Sequence, residues 1–155
     1  MSAVLETPVP VFRPMTDADL DQIMQIENSA YTHPWTEMIF RDCLRVGYSC
    51  WTMEVDETII AYGVMSVVAG ECHLLNLCVE PDQHNMGYGS LLLEHLLILA
   101  REHKANIAFL EVRPSNHVAL HLYQQAGFDE VGMRRNYYPA IIGREDAIIL
   151  ARHLA

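Results

Sequence analysis

The spacing of hydrophobic and polar positions changes several times along the chain, and each change marks an element. Val9 to Arg13 reads as a first strand. Leu20, Ile23, Met24 and Ile26 then recur at helical spacing, and Thr16 or Asp17 stands where a helix running to about Ala30 would be capped. Thr36-Glu37 opens a second helix that ends near Gly47. Ser49 to Val55 and Thr58 to Val68 are β-branched and aromatic, and Asp56-Glu57 fits a hairpin turn between them. Cys72 to Val79 is a further strand, stopped by Pro81. Gly89 to about His103 is a leucine-rich helix. Ile107 to Val112 is a strand, and Asn116 to Ala126 is a helix with Gly127 past its end. Phe128 to Met133 and Asp146 to Arg152 close the sheet. The order β-α-α-β-β-β-α-β-α-β-β predicts an α/β chain with helices packed on a mixed sheet.

Composition narrows the classes. A length of 155 residues, 51% of them apolar, is enough for one continuous core, so residues 1–155 are expected to form a single domain. No apolar run approaches the roughly 18 residues that span a bilayer. Met1 to Glu6 has neither the basic start nor the apolar block of a signal peptide. Cys43, Cys50, Cys72 and Cys78 lack C-x-x-C spacing, and a core of this size needs no disulfide staples. A reduced, cytoplasmic protein without a membrane partner is the expectation. The net charge of −10 argues against direct nucleic-acid binding. It favours solubility, and it would also speed encounter with a basic partner.

Chemistry concentrates in Gln83-His84-Asn85-Met86-Gly87-Tyr88-Gly89-Ser90, between an apolar strand and a helix. A strand, a glycine turn and a helix together aim unpaired backbone N–H groups and the positive end of a helix dipole at a phosphate. Gly87 and Gly89 carry no Cβ and let the backbone approach the ligand. The donors would be the N–H groups from Asn85 to Ser90: Asn85, Met86, Gly87, Tyr88, Gly89 and Ser90. Downstream stand Phe109-Leu110-Glu111-Val112-Arg113-Pro114-Ser115-Asn116 and Leu122-Tyr123-Gln124-Gln125-Ala126-Gly127-Phe128.

With Arg134-Arg135-Asn136-Tyr137-Tyr138-Pro139 and Gly143-Arg144-Glu145-Asp146-Ala147, these segments resemble the GCN5-related N-acetyltransferase superfamily. Within it they are most similar to the RimI-type ribosomal-protein alanine N-acetyltransferases, from about Phe12 to about Leu154. The resemblance implies a single-domain fold of that superfamily, with a mostly antiparallel sheet and an acyl-CoA-binding core over about 72–128. It implies that Cys72–Val79 and Ile107–Val112 splay apart, with the pantetheine arm of acetyl-CoA in the gap and its amides pairing with Leu77, Cys78 and Val79. Asn116, besides capping its helix, matches a residue that contacts the cosubstrate. Glu111 matches the family's general base and Tyr123 its general acid. Trp35, in His33-Pro34-Trp35-Thr36-Glu37, and Tyr137 and Tyr138 match the two walls of a peptide groove. The implied acceptor is the N-terminal alanine of small-subunit ribosomal protein eighteen, whose basic N-terminal peptide suits an acidic enzyme.

Elementary acid–base chemistry agrees with these roles. An α-amine with a reference pKa of about 7.7–8.0 is roughly one-tenth neutral near pH 7, so a carboxylate acting directly or through water is a sufficient base. A phenol near 10 is close enough to a thiol near 8.5 to protonate a departing thiolate. Two positions depart from the family loop: His84 replaces Gln or Arg, and Ser90 replaces an Arg frequent in close relatives. Both remove a permanent positive charge, yet the backbone donors remain and CoA binding is expected to survive. His117 and His121 share a helix face at i, i+4, but no third ligand is evident, and no metal is expected. Two alternatives remain open: transfer to lysine side chains or small amines, and a non-catalytic acyl-CoA-binding module.

Overall fold

The computed structural model describes residues 8–155. Seven strands form one sheet in the order β1-β2-β3-β4-β5-β7-β6. They are β1 (Val11–Pro14), β2 (Ser49–Val55), β3 (Thr58–Val68), β4 (Glu71–Val79), β5 (Ile107–Val112), β6 (Asp129–Pro139) and β7 (Arg144–His153). The helices are α1 (Leu20–Ala30), α2 (Glu37–Arg45), α3 (Tyr88–Glu102) and α4 (His117–Gln125). Every neighbouring pair is antiparallel except β4–β5.

The central strand β3 is buried from Ile59 through Met65, as a strand covered on both faces must be. Its Ile60 and Met65 join Leu92, Leu93, Leu96 and Leu97 of α3 in one cluster. Ile59, Tyr62 and Val64 join Leu20, Ile23 and Phe40 of α1 and α2 in another. Helix α3 lies very close to the sheet at Gly63, where an added Cβ would sit 2.7 Å from Leu96 Cδ1. That contact sets the depth at which the N-terminus of α3 meets the end of β4.

Strands β4 and β5 pair only from Glu71↔Ile107 to Leu74↔Leu110. Beyond that point β4 stays with β3 as far as Ala61↔Val79, while β5 stays with β7 as far as Val112↔Ile148. The divergence begins at an irregularity in β4. Val64 faces Asn76 and Met65 faces Leu74, leaving Leu75 as the extra residue. A bulge of this kind bends its strand, and here it bends β4 away from β5. The gap expected between these two strands is therefore present.

Two boundaries differ from the hydrophobic pattern. A 3-10 turn over Asp17–Asp19 precedes α1, because Asp19 accepts the Thr16 N–H at 2.7 Å and both terminal nitrogens of Arg13 at 2.8–2.9 Å. The last hairpin runs well past Met133 and starts before Asp146. Arg134 faces Ala147 and Tyr138 faces Glu145, so β6 advances four residues while β7 advances two. This bulge interrupts the alternation that marks a strand, and the strand resumes beyond it. Among the described residues no helix is long and apolar enough to cross a membrane.

Candidate active site

The loop after β4 contains a 3-10 turn, Pro81–Gln83, then Asn85 at φ +64° and Gly87 at φ +80°. Gly87 is the N-cap of α3, and neither a capping side chain nor an acidic residue occupies the first turn. The Leu91 N–H bonds back to the Gly87 carbonyl at 3.2 Å, so the N–H groups of Tyr88, Gly89 and Ser90 have no intrahelical partner. A Cβ added at Gly89 would lie 3.4 Å from Leu122 and 3.7 Å from the Val79 side chain, so α4 and the end of β4 stand close against the loop. His84 Nε2 lies 3.0 Å from the Val79 carbonyl, so the tautomer with its proton on Nε2 ties the loop to β4.

A groove of about 810 Å³ runs from this loop along Leu77, Cys78 and Val79 to Asn116 and Tyr123. Asn85, Gly87, Tyr88, Gly89 and Ser90 line it, whereas Met86 is exposed and does not. The Asn116 Oδ1 accepts the Ala119 N–H at 3.2 Å, capping α4 and leaving its amide NH₂ for a ligand. Cys78 also borders the groove, and burial pushes its thiol up to about 11, so it stays protonated near neutral pH. The three unpaired N–H groups, the close glycine backbone and the open edge of β4 suit a pyrophosphate followed by an amide-bearing arm.

A second cleft, about 320 Å³, opens between Leu75–Leu77 and Glu111–Arg113, in the gap between β4 and β5. Tyr31, Leu77, Asn116 and Tyr123 border both cavities, so the groove and the cleft meet there. Glu111, Trp35 and Tyr138 line the cleft alone. Glu111 lies one residue past the last β4–β5 pair, and Arg134 Nε is 3.0 Å from its carboxylate. Tyr137 does not line the cleft. It packs edge-on against Tyr138 at 4.9 Å, and its hydrogen bond to Glu111 holds the Tyr137 phenol above its ordinary pKa.

Tyr123 is buried and meets Phe128 edge-on at 5.7 Å. Burial drives its pKa well above that of a free phenol, with smaller like-charge contributions from Tyr138 and Cys78. Tyr123 therefore keeps its proton throughout the physiological range and presents a hydroxyl hydrogen-bond donor where groove and cleft meet. Trp35 leans on Phe40 at 5.2 Å, and Thr36 caps α2 by accepting the Ile39 N–H at 3.3 Å.

Several residues that shape this site carried no role in the sequence. Tyr31 donates its hydroxyl to the Leu77 carbonyl at 3.2 Å, at the meeting of groove and cleft. Glu145 accepts the Ser115 hydroxyl and backbone N–H, both at 2.9 Å, and Arg113 Nη1 at 3.3 Å. Those donors, Ser115 first, hold its carboxyl below the usual range. Arg113 also donates to the Pro139 carbonyl at 2.7 Å and lies 4.4 Å over the Tyr138 ring. The β6 bulge is held by Arg144, which donates to the Asn136 and Tyr137 carbonyls, and by Asp146, which accepts the Asn136 N–H. The paired motifs Arg-Arg-Asn-Tyr-Tyr and Gly-Arg-Glu-Asp-Ala thus form one structure that carries Tyr138 to the cleft. Among the described residues no three His, Cys, Asp or Glu side chains are grouped to hold a metal.

A phosphate-type cradle at a helix start, continuous with a gap between two parallel strands, defines the N-acetyltransferase class of α/β folds. The chain belongs to the Acetyltransferase (GNAT) family, whose model matches residues 20–128. It is 39% identical over 137 residues to the [ribosomal protein bS18]-alanine N-acetyltransferase of Salmonella typhimurium, covering 88% of this chain and 93% of that protein. The crystal structure of the ribosomal-protein-S18-alanine N-acetyltransferase from Escherichia coli superposes with a TM-score of 0.88 at 35% identity, over 95% of each chain. The fold also matches yncA from Salmonella typhimurium, solved with its cofactor acetyl-CoA, with a TM-score of 0.78 over 94% of each chain at 16% identity.

Proposed function

We propose that the protein transfers the acetyl group of acetyl-CoA to the α-amine of an N-terminal alanine, and that its acceptor is ribosomal protein bS18. The observation that carries this reading is the near full-length similarity to an enzyme named for that reaction. The site supplies a chemistry that agrees with it. In this reading the whole chain, 1–155, acts as one acetyltransferase domain.

The N–H groups of Tyr88, Gly89 and Ser90 receive the pyrophosphate, and the edge of Leu77–Val79 that β5 leaves without a strand partner pairs with the pantetheine amides. This places the thioester near Tyr123, where groove and cleft meet. The peptide enters between Trp35 and Tyr138 with its amine toward Glu111. Glu111 takes the amine proton, directly or through a water, as nitrogen attacks the thioester carbonyl. Tyr123 donates a hydrogen bond to the departing sulfur, and as the thiolate takes the phenolic proton a proton from water restores the phenol. In this reading the acetyl group passes directly from acetyl-CoA to the amine. A basic acceptor peptide suits the −10 charge of the chain. Four free, buried cysteines suit the reducing cytoplasm in which ribosomal proteins are made.

The test is acetyl transfer to a peptide with the acceptor's N-terminal sequence, run beside the same peptide with a blocked N-terminus. Products are located by mass spectrometry. Transfer to the free α-amine alone is the expected result. Transfer to lysines in both peptides, or none in either while acetyl-CoA is bound, overturns the reading.

A further inference from the structure

Glu27 sits in the last turn of α1, is 1% exposed and borders the acceptor cleft. Three donors from three separate elements converge on its carboxylate. The Tyr62 hydroxyl of β3 reaches Oε1 at 2.6 Å, and the Asn76 amide of β4 reaches the same oxygen at 3.1 Å. The Trp35 backbone N–H, from the loop between α1 and α2, reaches Oε2 at 2.9 Å. Among the described residues no arginine, lysine or histidine forms an ion pair with it.

A buried carboxylate without a counter-ion is costly, and an apolar side chain would fill the same space without that cost. What an apolar residue cannot do is fix three donors relative to one another. Two of the three sit on the cleft itself. Trp35 forms one wall, and Asn76 is the first residue past the Leu75 bulge, where β4 leaves β5. The third, Tyr62, is fully buried on the central strand and is the immobile reference. The carboxylate therefore sets how far the Trp35 wall stands from the diverging edge of β4.

We infer that Glu27 is the positioning residue for the acceptor: it fixes the width of the cleft and places a negative charge beneath the site where the acceptor's ammonium enters. It does not line the cosubstrate groove, and its hydrogen bonds go to Tyr62, Asn76 and Trp35, not to Glu111 or Tyr123. The inference rests on the peptide-acceptor reading above.

Glu27→Gln is the informative variant. It keeps the size, removes the charge, and turns an NH₂ toward a donor that needs an acceptor. The KM for the acceptor peptide is expected to rise about tenfold, the loss of roughly one charge-assisted hydrogen bond. The kcat should stay within about twofold and acetyl-CoA affinity should not change, a split that general loosening of the fold would not give. A readout independent of activity uses Trp35 as its own reporter, in a Trp51→Phe background that leaves it the sole tryptophan. Iodide quenching of Trp35 is expected to rise in Glu27→Gln. Asn76→Ala, which removes one donor and leaves the charge, serves if Glu27→Gln does not fold, with a smaller rise in KM and in quenching. Unchanged KM and unchanged quenching in a folded variant overturn the inference, as does a parallel loss of acetyl-CoA binding. If the parent protein acetylates no peptide, the function proposed above fails, and Trp35 quenching alone still decides whether Glu27 holds the wall.

Discussion

Arg134 Nε lies 3.0 Å from a carboxylate oxygen of Glu111, so the residue proposed as the base is already paired with a cation from the edge strand. The guanidinium also lies 5.4 Å from the centre of the Tyr137 ring. An incoming ammonium group must compete with Arg134 for the same oxygens. The pair is partly solvent-exposed and is weakened by salt.

Arg134→Gln is accordingly expected to lower the KM for a peptide acceptor by about twofold to fivefold at low ionic strength, the scale of a partly exposed ion pair. The difference should shrink as salt is added. Initial rates at two salt concentrations check it. A rise in KM would mean that Arg134 binds the acceptor instead of opposing it.

Glu111→Gln and Tyr123→Phe are each expected to reduce kcat by about a hundredfold or more, the usual contribution of a positioned acid or base. Acetyl-CoA affinity should be nearly unaffected, because the cradle at the start of α3 is intact in both. Titration calorimetry beside steady-state rates separates the two effects. Equal losses of binding and rate in both variants would remove the acid–base assignment.

Gly87→Ala should cost about 1–2 kcal/mol of folding stability, since φ +80° is a left-handed conformation that any Cβ opposes. Nothing lies within 4 Å of the added atom, so the cost is backbone strain and not a clash. Urea denaturation measures it. Weaker acetyl-CoA binding should accompany it, because Gly87 is the N-cap that orients the free N–H groups.

His95 stacks on Phe12 at 4.2 Å and meets Trp51 edge-on at 4.7 Å, and its Nε2 is buried without a partner. Burial holds its pKa below the ordinary value, with Glu102 opposing that shift. The folded protein therefore resists a proton that the unfolded chain accepts near pH 6.5. Stability present above that pH is lost as pH falls toward the folded value. His95→Phe should flatten this part of the profile, so the stability difference between variant and parent should move in the variant's favour between pH 7 and 5. Denaturant midpoints across that range check the sign.

Much of the fold was legible because local patterns and tertiary packing agreed. Ser49–Val55 and Thr58–Val68 carry strand composition, and both are strands to the residue. The glycine loop was legible because its backbone conformation demands those residues. Glu27 was not read, though a signal existed. It falls seven residues after Leu20 and four after Ile23, on the apolar stripe of α1, where a carboxylate needs buried donors. Those donors come from Tyr62 and Asn76, distant in sequence, and no spacing rule reveals them. The length of β6 was hidden for a related reason. Its bulge at Arg134–Tyr138 is held by Arg144 and Asp146 on the neighbouring strand, so the information lies in a pair of segments and in neither alone.

The early end of β4–β5 pairing at Leu74 and Leu110 leaves a sheet one ladder short in the middle of the molecule. Along Leu75–Val79 the Tyr31 hydroxyl meets the Leu77 carbonyl and His84 meets the Val79 carbonyl, while no strand pairs with this edge. Cosubstrate binding and folding then draw on the same hydrogen bonds, and the two equilibria are linked. Acetyl-CoA at a hundred times its Kd would add about 2.7 kcal/mol to stability by mass action. The amides of this half-strand should be the ones whose hydrogen exchange slows most when it binds. In a cell, the fraction of this protein that survives heat or proteolysis would then report the local supply of acetyl-CoA.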